Sequence, residues 1–190
     1  MNKKPYMLPE PELADLLNLR ASQLSFPAFA YVAKRVLEYV GIECVELKGR
    51  RFFRGRTPLG GFDMEGFEET EAGRLRVLIQ LKRYHRAVDR RFIDELRGTI
   101  FRYAAPCGII ITTTSFTVPA RDAAASYPGR PIRVMDGCEL GRIMLEARIG
   151  VTTSIDPITG ENFLTFDEAA FERLEDYCEL LYNNHHKGRS

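Results

Sequence analysis

Three polar residues stand where a folded chain has least use for them. Asp63 follows a Gly-Gly pair, and Gln80 and Lys82 lie inside Leu75–Tyr84, a run of strand-like composition. Side chains alternate along a strand, so Leu78, Gln80 and Lys82 share one face while Val77, Ile79 and Leu81 share the other. An amide and an ammonium near a strand centre are costly unless they are paired or used. If the strand carrying Asp63 is a neighbour, a carboxylate, an amide and an ammonium converge on one spot. That set suits metal-assisted hydrolysis of a phosphodiester. Asp63 and a neighbouring backbone carbonyl would hold Mg²⁺, with Mn²⁺ as a substitute, because such hard ions take oxygen ligands. Gln80 would supply an amide oxygen where other sites use a carboxylate. Lys82 would orient or deprotonate the attacking water, or stabilise charge in the transition state. The same spacing also fits a plain buried Asp63–Lys82 ion pair that locks two strands, and it leaves both readings open.

The elements that must position these residues follow from hydrophobic periodicity. A helical stretch over about Glu10–Arg20 precedes Ser25-Phe26-Pro27, a helix start with Ser as cap and Pro in the first turn. Phe29, Val32, Ala33, Val36, Leu37 and Val40 then recur at helical spacing up to Gly41. Ile42–Lys48 reads as a strand, and Phe62–Phe67 and Leu75–Tyr84 as two more joined by a turn near Glu71–Gly73. Asp89 caps a helix with Phe92, Ile93, Leu96, Ile100 and Phe101 on one face. The apolar run Gly108–Ile111 is expected to be a central strand covered on both faces. A turn at Thr112–Ser115, a helix around Pro119–Ser126, a strand Ile132–Met135 and a helix Glu139–Arg148 follow. Strands alternating with helices imply a mixed α/β sheet flanked by helices. Beyond residue 151, Thr165-Phe166-Asp167-Glu168 fits a capping box ahead of a helix with Phe171, Leu174, Tyr177, Cys178 and Leu181 as its apolar stripe.

The chain has 190 residues and a formal net charge of only +1, from 27 basic and 26 acidic side chains. That near-balance hides a split. Residues 151–190 hold 3 of the 27 basic and 8 of the 26 acidic residues, which leaves 24 and 18 in residues 1–150. A basic working region with an acidic helical tail is the pattern this describes. It divides the chain into an N-terminal arm (1–24), a central domain (25–151) and an acidic C-terminal extension (152–190). No apolar run approaches the roughly 18–20 residues of a membrane span, and the polar, Pro-rich start MNKKPYMLPEPE shows no secretory h-region. The four cysteines form no CxxC pair, which argues against a zinc or redox motif and for packing thiols in a cytoplasmic protein.

Basic residues flank the proposed centre. Lys48–Arg56 contains Arg50, Arg51, Arg54 and Arg56 with two Phe and no acid, and Lys82-Arg83-Tyr84-His85-Arg86 forms a second cluster. Arrays of this kind neutralise phosphates in a largely sequence-independent, salt-sensitive way. Arg50, Arg51, Arg54, Arg56, Arg83, Tyr84 and Arg86 are therefore candidate nucleic-acid contacts. Thr113 and Ser115 are candidate hydroxyl donors to a phosphate, although capping the next turn is an equally ordinary role for them. His85 reads as a surface or phosphate contact.

The order Gly60-Gly61-Phe62-Asp63, then Gln80-Leu81-Lys82-Arg83-Tyr84, then Asp89 and Asp94-Glu95-Leu96-Arg97-Gly98, resembles the Mrr-like restriction endonuclease family. Gly108-Ile109-Ile110-Ile111-Thr112-Thr113-Thr114-Ser115-Phe116-Thr117, with Pro131-Ile132 and Met135-Asp136-Gly137, resembles its later blocks. The likeness runs from about Phe26 to Val151. It implies the PD-(D/E)xK nuclease fold in its Gln-x-Lys variant, Mg²⁺-dependent cutting of DNA, and Asp63, Gln80 and Lys82 as the active residues. Two carboxylates usual in that family are missing: Ala30 stands at the first-helix Glu position, and Leu59 where many members carry Asp. The candidate substitutes are Glu65, two residues after Asp63 and so on the same strand face as a metal ligand, and Glu38 and Glu46; a plain surface glutamate is the other reading of each. The expectation is a DNA endonuclease of restriction type, with a homodimer or partner subunit as its assembly. The alternatives are a degenerate module that binds nucleic acid without cutting, and a partner-activated nuclease acting on RNA.

Overall fold

Local capping explains where the helices begin. In the computed structural model, which describes residues 8–47 and 61–187, α1 (Glu10–Gln23) has Pro in its first turn, and α2 (Phe26–Tyr39) is capped by Ser25, whose hydroxyl accepts the Ala28 N–H. Asp89 caps α3 (Arg90–Arg102), Thr117 caps α4 (Val118–Ala125) and Asp136 caps α5 (Gly137–Glu146). Each cap supplies an acceptor to a first-turn N–H that the helix itself leaves unpaired.

The strands β1 (Ile42–Leu47), β2 (Met64–Thr70), β3 (Gly73–Lys82), β4 (Cys107–Thr112) and β5 (Ile132–Met135) form one five-stranded sheet in that order. β1, β2 and β3 pair antiparallel, whereas β3–β4 and β4–β5 pair parallel, with α3 and α4 as the crossovers. Every residue of β4 is buried, as a continuous apolar run covered on both faces requires. Alternation divides the core in two. Val77, Ile79, Leu81, Ile109 and Ile111 pack with α1, α2 and α5, and Leu78 and Ile110 pack with α3 and α4.

The ends of the sequence belong to the larger of these cores. Leu13, Leu17 and Ala21 of α1 and Phe171 and Cys178 near the C-terminus are all buried in it. The predicted arm and extension thus share one interior with the central segment. Residues 151–166, for which the sequence alone predicts no strand, form a hairpin of β6 (Val151–Ile155) and β7 (Asn162–Phe166). Thr165 lies inside β7, so it does not cap the final helix, α6 (Glu168–Lys187); Asp167 takes that role and accepts the Ala170 N–H at 3.0 Å. α6 lies against α2, where the Tyr31 and Tyr177 rings meet edge-on and the Glu175 carboxylate accepts the Ser25 N–H and hydroxyl. Glu168 pairs with Arg20 at 2.7 Å. Part of the tail's acidity is therefore spent on capping and pairing with α1 and α2, on the face opposite α3. No helix among the described residues is long and apolar enough to cross a membrane.

Candidate active site

The site is assembled where β2 begins, β3 ends and α3 crosses them. Asp63 lies one residue before the Met64–Ile79 pair, and its N–H bonds the Ile79 carbonyl at 2.8 Å, so it extends the hairpin and stands opposite Gln80. Its Oδ2 accepts the Leu81 N–H at 2.7 Å. Asp63 and Gln80 are buried, at 5% and 4% exposure, on the face that also carries Leu78 and Lys82. The convergence expected from alternation is present.

Gly61 makes the approach possible. Its φ of +80° is a left-handed conformation that side chains rarely adopt, and a Cβ there would lie 2.4 Å from Thr99 Oγ1 on α3. The Thr99 hydroxyl in turn donates to the Glu95 carbonyl at 3.0 Å. With α3 seated that closely, the Gly61 carbonyl accepts Gln80 Nε2 at 3.2 Å. This bond orients the amide and leaves Gln80 Oε1 buried with no hydrogen-bond partner among the described residues. Buried acceptors are almost always satisfied, so one held fast beside a carboxylate has a lone pair that a cation or its water could take.

Electrostatics follow from burial. Removal from water pushes Asp63 up to about 6, against the opposing pull of the Leu81 N–H and of Lys82. Burial also lowers Lys82; Asp63 and Glu95 counter the shift and Arg91 adds to it. Lys82 forms no ion pair within 4.0 Å with a described carboxylate, so the strand-locking Asp63–Lys82 bridge is not what the structure contains. Its ammonium lies 4.3 Å from the Phe92 ring centroid instead.

The other candidates divide. Glu65 shares the Asp63 face, as predicted, but its Oε2 accepts from Arg76 Nε at 3.0 Å and Nη2 at 2.5 Å. Arg76 is the diagonal neighbour on that face, two residues before Leu78, which pairs with Glu65. The carboxylate is thus engaged below the site rather than grouped with Asp63, and no cluster of three metal-ligating side chains occurs among the described residues. Glu38 pairs with Lys34 at 3.4 Å on α2, and Ala30 is fully buried in the larger core. Glu46 stands opposite Glu65 on β1.

Arg83 follows β3 directly, and a guanidinium N–H donates to the Leu24 carbonyl. Thr113 is buried, and its hydroxyl donates to the Tyr84 carbonyl at 3.5 Å, tying two loops together. Thr112 and Thr114 do the same for the Lys82 and Arg86 carbonyls. Tyr84 is half-buried with its ring 5.4 Å from that of Phe92, while Arg86 and Ser115 are exposed. Arg50, Arg51, Arg54 and Arg56 lie outside the described residues. Phe92 and Glu95 were missed as neighbours of Lys82. Helical spacing gives Phe92 only as a core residue, and nothing local to Glu95 signals which side chain it faces.

The family model for the Mrr catalytic domain, described as a restriction endonuclease, matches residues 21–144. The type IV methyl-directed restriction enzyme EcoKMrr of Escherichia coli (strain K12) is 34% identical over 80 residues, 42% of this chain and 26% of that protein. The chain thus spans about a quarter of the length of that curated relative. Among solved structures, the DNA modification-dependent restriction endonuclease AspBHI superimposes with a TM-score of 0.58 at 14% identity, over 95% of this chain and 44% of that one. MspJI restriction endonuclease in complex with a 27-mer oligonucleotide gives a TM-score of 0.41 at 19% identity, over 69% and 27% of the two chains. The likeness to AspBHI agrees with the mixed sheet between helical layers, and the family match spans more than half of the sequence: the chain belongs to the restriction endonuclease family and carries its Mrr-type catalytic domain.

Proposed function

We propose that the protein is a Mg²⁺-dependent endonuclease that hydrolyses DNA phosphodiester bonds, of restriction type, with Mn²⁺ able to replace Mg²⁺. The observation that carries this is the pairing, on one strand face beside Lys82, of the buried Asp63 carboxylate with Gln80 Oε1, which has no hydrogen-bond partner among the described residues. Carboxylate and amide oxygens are what a hard divalent cation takes, with a backbone carbonyl and water completing the set. A cation bound there supplies Lewis-acid stabilisation of phosphoryl oxygens and a more acidic water.

The chain's own residues do the rest. Asp63 binds as a carboxylate, held by the Leu81 N–H, and Gln80 is held for binding by the Gly61 carbonyl. Lys82, half-buried at the strand end, can meet the negative charge that builds on the phosphorus-bound oxygens. Arg86, Arg90 and Arg91 present cationic surface around the start of α3, suited to neighbouring phosphates. Presence of the whole trio on one face favours cutting over a module that only binds.

The test is removal of metal. Supercoiled plasmids, methylated and unmethylated, should be cut by the full chain in Mg²⁺, spared in excess EDTA, and cut again when Mg²⁺ is restored. Cutting that persists in EDTA contradicts the proposal.

A further inference from the structure

Opposite charge alone would draw Lys82 onto Asp63. Both are on one face of the sheet, Asp63 opposite Gln80 and Lys82 two residues further along the same strand, with Asp63 buried and Lys82 half-buried. The ammonium is elsewhere. Nζ lies 4.3 Å from the centroid of the Phe92 ring and 5.9 Å from that of Tyr84. A cation within about 6 Å of a ring centroid is attracted by the negative face of the π-system, and the attraction strengthens when water is excluded.

The ring that receives it is fixed in place. Phe92 is 6% exposed, in the core layer with Leu78, Val88 and Leu96, and the Tyr84 ring packs on it at 5.4 Å with a tilt of 53°. Asp89, whose carboxylate accepts the Arg91 N–H, sets the start of α3 and with it the position of Phe92. Arg91 lies over the same ring at 4.5 Å, which adds a like charge near the ammonium. Glu95, one turn after Phe92, is the carboxylate α3 contributes to the field at Lys82.

We propose that Phe92, backed by Tyr84, is a positioning residue of the site: its ring holds the Lys82 ammonium off Asp63, so the carboxylate stays open to a divalent cation. The inference rests on the reading that Asp63 and Gln80 hold that cation. Without the aromatic seat, Lys82 falls onto Asp63 and competes with the metal for the same oxygens.

The experiment is a Mn²⁺ titration of the full chain, followed by EPR, for wild type, Phe92→Leu, Phe92→Tyr and the double variant Phe92→Leu/Lys82→Met. Phe92→Leu weakens Mn²⁺ binding on the order of tenfold, the scale of a desolvated cation–π contact. Phe92→Tyr, which keeps the ring, stays within about twofold of wild type for the same reason. Adding Lys82→Met to Phe92→Leu restores the affinity, because the competitor is gone. Should Phe92→Leu prove unfolded by circular dichroism, Phe92→Met is the second variant, since methionine refills the same volume without an aromatic face. A separate readout needs no metal: the Lys82 ε-methylene protons are ring-current shifted upfield in wild type and lose that shift in the Leu or Met variant. A folded Phe92→Leu with unchanged Mn²⁺ affinity, or one equally weakened with and without Lys82→Met, overturns the proposal while leaving the metal site standing. If wild type binds no Mn²⁺, or Asp63→Ala binds it as well, the metal reading falls and this proposal with it. The ring-current shift then still records where the ammonium rests.

Discussion

The Asp63 carboxylate accepts the Leu81 N–H at 2.7 Å, so the acidic residue is bonded to the strand residue between Gln80 and Lys82. This bond fixes the acid against β3 but does not offset its burial, which raises it from 3.8 to about 6. An acid whose folded value is raised favours folding below its unfolded value and loses that contribution as pH rises through the folded one. Asp63 therefore opposes folding of the metal-free chain above about pH 6.

Asp63→Asn should accordingly stabilise the metal-free protein at pH 7.5. Urea denaturation is expected to show a gain of roughly 1–3 kcal/mol. The gain should shrink as pH falls from about 6 toward 3.8, where the wild-type acid becomes neutral too. A destabilised variant at neutral pH would mean that the carboxylate is better satisfied than its burial implies.

Gly61 and Thr99 should be energetically coupled. Gly61→Ala places a methyl 2.4 Å from Thr99 Oγ1 in a left-handed backbone, so a loss of about 2–4 kcal/mol is expected from overlap and strain together. Thr99→Ala removes the obstructing hydroxyl, and the double variant should recover part of the loss in thermal melts. Simple additivity of the two would show that α3 does not rest on Gly61.

Arg83 and Arg86 stand three residues apart and should behave oppositely. Arg86→Ala should weaken binding to a duplex and lower the slope of log K against log salt by about 1, as loss of a phosphate contact does. Arg83→Ala should leave that slope alone and reduce stability instead, because it frees the buried Leu24 carbonyl. Reversal of the two phenotypes would contradict the engagement of Arg83 with the Leu24 carbonyl.

Phe171 tests whether the C-terminal segment is an appendage. It is 2% exposed, stacked on Phe166 at 5.6 Å, with Gly150 so close that a Cβ there would lie 2.2 Å from its ring. Phe171→Ala should cost about 3–5 kcal/mol, the usual scale for emptying an aromatic core position. A cost near zero in chemical denaturation would mean that residues 152–190 add little to the core.

Much of this was legible in the sequence because it rests on periodicity. Alternation along β3 put Gln80 and Lys82 on one face, and apolar spacing plus Ser25 and Asp89 located α2 and α3. What escaped depends on contacts between segments far apart in the chain. The β6–β7 hairpin was hidden because Thr152-Thr153-Ser154 is polar and its partner strand lies beyond the Asp156–Gly160 turn. Thr113 and Arg83 have the composition of phosphate ligands, and only the fold shows that each donates to a carbonyl of a distant segment. The seat of Lys82 on Phe92 joins β3 to α3, and no local pattern encodes it.

The central claim is that Asp63, Gln80 and Lys82 form a DNA-cutting centre. Its most direct test is the rate of Mg²⁺-dependent plasmid cleavage by wild type, Asp63→Ala, Gln80→Ala and Lys82→Ala, each verified as folded. The account predicts cutting by wild type and a loss on the order of a hundredfold or more in Asp63→Ala and Lys82→Ala, the scale of a removed electrostatic catalytic group, with Gln80→Ala also impaired. Equal cutting by all four proteins would contradict it.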